Sequence, residues 1–356
     1  MDDQTKWRSE VDAAIVDTLA QLAAGIEAAG SASEDLTRAI AGATEGGKRV
    51  RSTILIASHH AHSGSHHDAA VALAAALELF HGAALLHDDV LDESDTRRGA
   101  PSAHRAIEAL HGRRGWQGDA AAFGRAGAIL AGDLALMASA RALQSAAGRL
   151  PEESRERVVR LFLTMSDLVT AGQYLDMRTA TQPLDDLPHQ EGDIRATMRT
   201  KTASYTCEGP LALGAAVAGA SDAQIAAVRE VGVPLGIAFQ LRDDVLGLVG
   251  TAATGKPSGD DVREGKRTLV LFLAWTLASE AQRDAIRRAA GVRDASAADV
   301  HGAIEAIIAT GAIDAVEGEI ATTAAQARSR LAGLGLAQPY AGILDDIAAF
   351  VVARDR

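Results

Sequence analysis

The spacing of apolar residues is the feature of this sequence that most restricts its fold. Along most of the 356 residues, apolar side chains recur at three- and four-residue intervals, which is the period of a helix with one buried face. No segment shows sustained two-residue alternation, so we expect essentially no sheet. The predicted helices are Val11–Ala29, Ala69–Leu86, Gly124–Ala147, Glu156–Arg178, Ile225–Val249, Leu269–Ala289, Ala298–Ala309 and Ala312–Leu334.

The composition favours one packed all-α domain. Aromatic residues make up only 3% of a chain that is 47% hydrophobic, and abundant alanine suits close helix–helix packing better than a β-sandwich. No repeat of fixed period and no low-complexity linker divides the sequence. We therefore predict one all-α domain over residues 1–356, an orthogonal or antiparallel helix bundle. The polar stretch Gln182–Asp193 is predicted to be a mobile loop, and the histidine-rich run Ser58–Asp68 a solvated turn between helices.

Charge, cysteine content and the N-terminus exclude several classes of protein. The net charge of −12 argues against a nucleic-acid partner, because such binding depends on positive charge. The single cysteine, Cys207, excludes an intramolecular disulfide framework. The acidic start Met1–Gln4 is unlike a signal peptide, and the apolar stretches Val71–Leu86 and Thr268–Ala278 are interrupted or shorter than the about 20 residues that span a bilayer. We expect a cytoplasmic protein with no transmembrane segment.

An acidic cluster follows the predicted helix Ala69–Leu86. Asp88, Asp89 and Asp92 lie there, and Asp88 and Asp92 are four residues apart, so on a helix their carboxylates share a face. Like charges so placed repel each other, and the C-terminal end of a helix disfavours negative charge. A bound divalent cation would offset both penalties, and Mg²⁺ prefers such oxygen ligands together with substrate phosphates. Taken alone, this cluster leaves a solvated helix end as an equal alternative.

A second acidic cluster, Asp243 and Asp244, follows another apolar helical run, after Phe239–Arg242. Two such clusters far apart in sequence predict two walls of one site, in which carboxylates around shared Mg²⁺ ions hold a diphosphate. The alternative for the second cluster is an acidic turn on the surface.

Basic residues lie close to both acidic clusters. Gly46–Arg51 opens a helix, where backbone donors with lysine and arginine form a good phosphate pocket. The other basic segments are Arg97-Arg98-Gly99, Lys201-Thr202, Gly255-Lys256-Pro257 and Gly265–Thr268. Each segment alone is more typical of a solvated loop, and no complete Walker loop is present. Together with the apolar helices, they predict a site for two diphosphates with apolar tails.

At these motifs the sequence resembles the trans-isoprenyl (polyprenyl) diphosphate synthases, most of all bacterial geranylgeranyl diphosphate synthases. His87–Gly99 is similar to the first aspartate-rich motif of that family and Phe239–Thr268 to the second, and Gly46–Arg51, Gly172-Gln173 and Lys201-Thr202 match in family order. The resemblance covers nearly the whole chain. It implies an isoprenoid-synthase helix bundle around a deep central cavity, and a prenyltransferase that condenses isopentenyl diphosphate with dimethylallyl, geranyl or farnesyl diphosphate.

The resemblance also implies a role for each motif residue. Asp88, Asp92 and Asp243 would ligate Mg²⁺ on the allylic diphosphate, with Asp89 and Asp244 supporting them. The residues expected to contact the allylic diphosphate are Arg97, Lys201, Lys256 and Lys266. Those expected to hold isopentenyl diphosphate are Lys48, Arg51, His81 and Arg98. Those expected to lie along the reacting carbons are Lys201, Thr202 and Gln240. About three Mg²⁺ ions are expected to bind with the substrate diphosphate. The family is usually homodimeric, which is our expectation here.

This assignment agrees with the chemistry that the reaction needs. Ionising an allylic diphosphate leaves a carbocation and a highly charged pyrophosphate, which metal ions, lysine and arginine can stabilise. The double bond of isopentenyl diphosphate then attacks, and the pyrophosphate can accept the proton that leaves. No protein nucleophile is required.

The sequence departs from the family pattern at two positions. Gly247 stands where many members carry the third aspartate of the second motif. Similar members also carry glycine there, and we expect Asp243 to be the more important ligand, with weaker metal binding on that wall as the alternative. Ser52 stands where proline is usual, and we expect little effect from it.

Small residues before the first aspartate motif set our expectation for product length. In this family, the residues four and five positions before the first aspartate form the floor of the product pocket. Here those residues are Ala84 and Ala83. Phe80, about 12 Å from Asp88 by helical rise, is the next candidate floor, with Leu77 further along the same face. This favours geranylgeranyl diphosphate as the product, with Phe80 in the core as the alternative.

Other functions remain open at this point. The synthase could make farnesyl or longer polyprenyl diphosphates. A class I terpene cyclase also ionises prenyl diphosphates, but Lys48, Arg51, His81 and Arg98 argue against it because a cyclase holds no second diphosphate. A non-catalytic partner subunit of a synthase would be expected to lose motif residues, and this chain departs from the acidic motifs only at Gly247.

Overall fold

The computed structural model describes residues 3–250 and 259–353, without the side chains of residues 351–353. Within those residues the chain forms sixteen α-helices, so the all-α prediction is confirmed. The helices are α1 Asp3–Gly25, α2 Ser31–Thr44, α3 Val50–Ala61, α4 His67–Leu91, α5 Ala103–Arg114, α6 Ala120–Ala147, α7 Glu152–Ala180, α8 Glu191–Thr197, α9 Gly209–Val217, α10 Asp222–Val249, α11 Asp260–Glu264, α12 Leu269–Leu277, α13 Glu280–Arg287, α14 Ala297–Ala309, α15 Ala312–Gly333 and α16 Tyr340–Ala353.

Shorter elements complete this part of the chain. Two 3₁₀ helices span Glu27–Ala29 and Leu184–His189, and a π-helix spans Met198–Glu208. A two-stranded hairpin pairs β1, Thr96–Arg97, with β2, Ala100–Pro101, and is the only strand pairing in residues 3–250 and 259–353.

The helices are grouped into two compact units. The first unit comprises Met1–Val159 with Gly214–Gly219, and the second comprises Arg160–Leu213 with Ala220–Arg356. Organisation as a single domain around a central cavity therefore stays a prediction.

Helix α4 is the core of the first unit. From Ala69 to Leu79 the alanine and leucine side chains of α4 are almost fully buried, and α4 packs against α6. Gly132 of α6 lies so close to His87 that a Cβ at position 132 would be 2.2 Å from His87 Nε2. Further along α6, Ser139 Oγ donates a 2.8 Å hydrogen bond to the carbonyl of Ala76 on α4. Small residues on both helices therefore bring their backbones close together.

Helix α10 is the core of the second unit, where it packs against the π-helix and α15. Arg242 of α10 is 1% exposed, and its guanidinium donates two hydrogen bonds to the carboxylate of Glu317 on α15. The bond from Arg242 Nη2 to Glu317 Oε2 is 2.8 Å long. This ion pair fixes α10 against α15 immediately next to Asp243.

Two local expectations were wrong. The helix predicted over Leu269–Ala289 is broken at Ala278, and α13 starts from a capping box in which Ser279 and Gln282 bond each other's backbone N–H groups. The polar stretch Gln182–Asp193, predicted to be a loop, contains a 3₁₀ helix and the first turn of α8. In the first case a local cap interrupts the apolar period, and in the second case short helices form in a polar stretch.

The histidine-rich run is not a simple solvated turn. His59 is fully buried at the end of α3, and burial followed by the charges of neighbouring histidines lowers its pKa to about 3. His60 stacks between Trp7 and His67, and a 3.1 Å hydrogen bond joins His60 Nε2 to His67 Nδ1. His67 Nε2 also contacts Glu10 at 2.8 Å. These rings join α1, α3 and α4.

Two helices are long and apolar enough to cross a membrane by length and composition. They are α4 and α6, although 83% of the most apolar window of α4 is buried inside the protein, as in a core helix. The corresponding share for α6 is 44%. The expected absence of a transmembrane segment stays a prediction.

We predict that Glu317→Ala lowers the free energy of unfolding by about 3–5 kcal/mol, because it leaves the Arg242 charge buried without its partner. The matched control is Glu319→Ala on the same helix, since Glu319 pairs with a more exposed arginine, Arg195, at 2.8 Å. That variant should lose less than about 1 kcal/mol. Urea denaturation of both variants gives the comparison, and equal losses would contradict the prediction.

Candidate active site

The first aspartate cluster lies at the C-terminal end of α4. Asp88 and Asp89 belong to the last turn of the helix, and the N–H of Asp92 donates a 2.8 Å hydrogen bond to the carbonyl of Asp88. Asp92 therefore keeps helical geometry, and the expected sharing of one helix face by Asp88 and Asp92 is found. Asp89 is buried, whereas Asp88 and Asp92 are half-buried.

A tight hairpin places the two adjacent arginines on different partners. Arg98 and Gly99 form its two-residue loop with φ of 53° and 77°, as a type I′ turn requires. Arg97 Nε donates to Asp89 Oδ1 over 2.9 Å, and Arg97 Nη2 lies 3.4 Å from Asp88 Oδ2. Arg98 Nη1 instead donates to the carbonyl of Glu45 over 2.7 Å. The turn thus separates the two positive charges that follow the acidic cluster.

The Gly46–Arg51 segment enters α3 through left-handed backbone. Gly46, Gly47 and Arg49 all have positive φ, and a Cβ on Gly47 would lie 3.2 Å from Arg98 Nη2. This glycine pair lets the guanidinium of Arg98 approach the loop closely. Lys48 is exposed and Arg51 is half-buried.

Glu78 is a residue of this site that sequence reasoning missed. Its buried carboxylate accepts from Arg49 Nη1 at 3.0 Å, from Ser52 Oγ at 2.9 Å and from the Ser52 N–H at 3.3 Å. Proline at position 52 could supply neither Ser52 donor. The departure at Ser52 therefore adds two bonds between α3 and α4, more than the small effect expected. The sequence signal for Glu78 was an acidic residue inside an apolar helix.

His81 lies on α4 one turn after Glu78, among arginines of the first unit. Its pKa lies well below the ordinary value, first because the ring is shielded from solvent and then because Arg51, Arg98 and Arg97 add positive charge around it. A neutral imidazole that can donate one hydrogen bond is therefore surrounded by fixed cations. His81, Arg51 and Arg98, predicted to share one role, are close enough to influence one another.

In the second unit, the Lys201-Thr202 pair lies on the π-helix. Thr202 Oγ1 donates to Gln240 Oε1, and Gln240 Nε2 donates to Asp244 Oδ1 over 2.6 Å. Lys201 Nζ donates to Asp176 Oδ2 of α7, also over 2.6 Å. The structure thus joins Thr202, Gln240 and Asp244, and adds Asp176, which sequence reasoning missed although it lies one turn after Gly172-Gln173.

Glycines on both neighbouring helices hold the π-helix in place. A Cβ on Gly172 of α7 would lie 2.4 Å from the backbone nitrogen of Lys201. On α10, a Cβ on Gly236 would lie 2.5 Å from the Cα of Ala203, and one on Gly232 equally close to the Cα of Glu208. Only glycine permits these distances, so backbone contact on two sides fixes where the side chain of Lys201 starts.

The carboxylates of the second unit are close enough to change one another's charge. The pKa of Asp244 is raised well above its ordinary value by burial, opposed by the hydrogen bond from Gln240 and reinforced by the negative charges of Asp261, Asp243 and Asp176. Asp243 is half-buried on the same turn of α10. Negative charge concentrated this way favours a bound cation.

Of the two remaining lysines, one can be placed. Lys266 Nζ lies 2.7 Å from Glu264 Oε2 and 3.6 Å from Asp261 Oδ1. Lys256 lies outside the described residues.

The product-length residues of α4 separate onto different faces. Ala84 is half-buried on the face that also carries His81, Leu85 and Asp88, whereas Ala83 is fully buried away from that face. Leu77 and Phe80, one to two turns earlier, are both buried. Of the two alanines, only Ala84 therefore lies on the Asp88 face, and the buried Phe80 stays the predicted floor further along α4.

The residues present suit Mg²⁺. Their donors are carboxylate oxygens, the ligands that Mg²⁺ prefers, and they lie beside arginine and lysine. Among residues 3–250 and 259–353, no three His, Cys, Asp or Glu side chains converge enough to hold a metal by themselves.

The chain is similar to known proteins along most of its length. Residues 33–307 match the polyprenyl synthetase family. The geranylgeranyl diphosphate synthase of Sulfolobus acidocaldarius is 32% identical over 71% of this chain and 70% of its own. The geranylfarnesyl diphosphate synthase of Aeropyrum pernix is 33% identical over 76% and 79%. The crystal structure of geranylgeranyl pyrophosphate synthase from Corynebacterium glutamicum, complexed with isoprenyl diphosphate and magnesium, is 34% identical, covers 100% of both chains and has a TM-score of 0.91.

The chain belongs to the polyprenyl synthetase family. It is a trans-isoprenyl diphosphate synthase, a prenyltransferase of chain elongation, as the motifs predicted.

We predict that Gly172→Ala lowers kcat at least ten-fold, because the new methyl group would push the Lys201 backbone away from α7. The control is Gly192→Ala, where a Cβ meets nothing within 4 Å. It should leave kcat unchanged and stabilise α8 by about 0.5–1 kcal/mol. Steady-state kinetics and thermal melting measure both effects, and a fully active Gly172→Ala enzyme would show that backbone contact does not set the Lys201 position.

Proposed function

We propose that this enzyme condenses isopentenyl diphosphate with an allylic diphosphate and releases geranylgeranyl diphosphate as its main product. The observation that best supports this proposal is the set of basic residues grouped around His81 in the first unit, which is present in addition to both aspartate motifs. A second diphosphate needs such a set, and a terpene cyclase does not. The similarity to synthases of geranylgeranyl and geranylfarnesyl diphosphate supports the same conclusion.

The proposed roles follow from the contacts in each unit. Asp88 and Asp92 on α4, and Asp243 on α10, would ligate Mg²⁺, about three ions in all with the allylic diphosphate. Mg²⁺, when bound, supplies the positive charge that stabilises the departing pyrophosphate. Asp89 and Asp244 would orient their neighbours, because each is buried and bonded to a motif side chain, Arg97 and Gln240 respectively.

The basic residues would divide between the two diphosphates. Lys48, Arg51, His81 and Arg98 would hold isopentenyl diphosphate, and neutral His81 would donate a hydrogen bond without adding charge. Arg97, Lys201, Lys256 and Lys266 would hold the allylic diphosphate. The hydroxyl of Thr202 and the amide of Gln240, oriented by their own hydrogen bond, would present dipoles to the developing carbocation.

We propose that Ala84 leaves room for a growing chain along the Asp88 face of α4. Ala84 is half-buried there, and the next residues inward on or near that face are the larger Phe80 and Leu77. A pocket of this length favours a product longer than farnesyl diphosphate.

We also propose a homodimer, acting in the cytoplasm without a transmembrane segment. Phe123, Leu130 and Met137 lie on one face of α6 at seven-residue steps and are 44%, 55% and 54% exposed. An apolar face of this kind is suited to a two-fold contact with a second copy. Light scattering of the purified protein should give twice the chain mass, and a monomer at micromolar concentration would exclude this proposal.

Product analysis tests the function. Purified enzyme receives Mg²⁺, isopentenyl diphosphate and, separately, dimethylallyl, geranyl or farnesyl diphosphate, and products are identified by mass. We expect geranylgeranyl diphosphate from each starter. Asp88→Ala should abolish turnover and keep its helical circular dichroism, because it removes a ligand and no core volume. Cyclic hydrocarbons would indicate a terpene cyclase instead, and no product from any starter would indicate a non-catalytic subunit.

We predict that Ala84→Phe shortens the main product to farnesyl diphosphate, because the ring would close the Asp88 face of α4. The comparison is Ala83→Phe, since Ala83 is fully buried and a ring there overpacks the core. That variant should lose about 1–3 kcal/mol of stability without a defined change of product length. Mass analysis and thermal melting separate the two effects, and an unchanged product from Ala84→Phe would exclude Ala84 as a lining residue.

A further inference from the structure

Arg49 stands between two residues proposed to hold isopentenyl diphosphate. Lys48 directly precedes it, and Arg51 follows it in the first turn of α3. Arg49 has left-handed backbone, with φ of 51° and ψ of 35°, which residues with a Cβ seldom adopt. Rotation about these two bonds would swing Lys48 relative to α3. The backbone angles of Arg49 therefore determine how Lys48 is directed relative to Arg51.

The guanidinium of Arg49 is held by three different helices. Its Nε donates to Asp12 Oδ1 of α1 over 2.9 Å, and its Nη1 donates to Glu78 Oε2 of α4 over 3.0 Å. Its Nη2 donates to the carbonyl of Thr44, the last residue of α2, over 2.7 Å. Arg49 is 9% exposed and Glu78 is 4% exposed. Hydrogen bonds between charged groups are strong in such surroundings, so the arginine fork is fixed in one orientation.

These contacts join the loop around Lys48 to α4 and α1. Glu78 lies three residues before His81 on α4, so the two side chains share a face of that helix. The bond from Arg49 to Glu78 therefore ties the loop to the position of His81. On α1, one turn before Asp12, Arg8 Nη2 donates a 3.1 Å hydrogen bond to the carbonyl of Lys48. Helix α1 thus holds the backbone just before the left-handed residue as well as its side chain.

We propose that Asp12 and Glu78 position the residues that bind isopentenyl diphosphate. A left-handed arginine persists only where its surroundings hold it, and such residues are concentrated at functional sites. The two carboxylates hold the Arg49 guanidinium, and Arg49 in turn keeps Lys48 and Arg51 directed at one diphosphate. Both carboxylates act through Arg49 and not by touching the substrate. This inference rests on the proposed function of the site.

Steady-state kinetics with each substrate varied in turn provide the first test. Asp12 is the better carboxylate to remove, because its side chain is 47% exposed and its loss leaves no cavity in the core. We expect Asp12→Ala to raise the KM for isopentenyl diphosphate about ten-fold, with kcat and the KM for the allylic diphosphate within about two-fold of wild type. Asp12→Asn keeps a neutral acceptor for Arg49 Nε, so it should raise the same KM only about three-fold.

Glu78→Gln should show the same selectivity for isopentenyl diphosphate. Its melting temperature should also fall, because the Arg49 charge then stays buried with one carboxylate fewer.

Binding without turnover provides the second test. The residues proposed to hold isopentenyl diphosphate include no carboxylate, so the melting temperature of the full chain is recorded with isopentenyl diphosphate in the absence of Mg²⁺. Asp12→Ala should need about ten times more of it for half-maximal stabilisation. The matched control is Glu10→Ala on the same helix, because Glu10 joins α1 to α4 through His67 Nε2, at 2.8 Å, and not through Arg49. Its midpoint should stay within about two-fold of wild type.

The outcomes separate the positioning role from its alternatives. An Asp12→Ala protein with the wild-type midpoint would overturn the inference, as would equal increases in the KM values of both substrates. An equal shift in Glu10→Ala would overturn it too, because general docking of α1 would then set the affinity. Wild-type protein that isopentenyl diphosphate does not stabilise would refute the proposed site and the inference with it. Wild-type protein that binds it but elongates no allylic diphosphate would refute the proposed function alone.

Discussion

Backbone-to-backbone packing of helices, permitted by glycine and alanine, is the constraint on which the rest of this structure depends. In the second unit, Gly172, Gly232 and Gly236 let α7 and α10 touch the π-helix directly. In the first unit, the alanines of α4 and Gly132 of α6 do the same for the helix that ends in the first aspartate motif. When two backbones are in direct contact, a displacement of one helix displaces the other, because no side chain lies between them to adjust. The positions of the functional side chains are therefore fixed by the backbone contacts.

The polar networks depend on this packing. Asp89, Glu78 and Asp244 are buried carboxylates, and each is hydrogen-bonded to a side chain at the candidate site. Burying such groups costs free energy unless they are hydrogen-bonded, and good geometry makes the bonds strong. The carboxylates and arginines of the first unit, and the Lys201 and Gln240 networks of the second, are therefore arranged before any substrate binds.

Local signals predicted some parts of this molecule and could not predict others. The three- and four-residue apolar period predicted α4, α10 and α15, because burial on one face is recorded in the sequence of each helix. The motif residues could be recognised from the sequence because they are charged and lie next to apolar helices. The partners Asp176 and Glu78 could not be recognised in this way, because their roles depend on contacts between segments far apart in sequence.

The π-helix and the Arg98-Gly99 turn were also missed, for a related reason. Eleven residues in π geometry have no periodic signature of their own, and their conformation follows from the glycines of α7 and α10. Arg98 has left-handed backbone geometry, which is unusual for arginine, and among its sequence neighbours only Gly99 indicates a turn. Sequence reasoning therefore named the candidate residues, and the fold determined how each one is held.

The burial of α4 has a consequence for how the protein is made. This 25-residue helix is apolar enough to resemble a membrane segment, and α6, which packs against it, ends 56 residues later in the chain. At about 5–20 residues per second, several seconds of synthesis separate the appearance of the two helices. During that interval the apolar surface of α4 is exposed on the nascent chain. Chaperone binding is therefore most important before α6 has been synthesised.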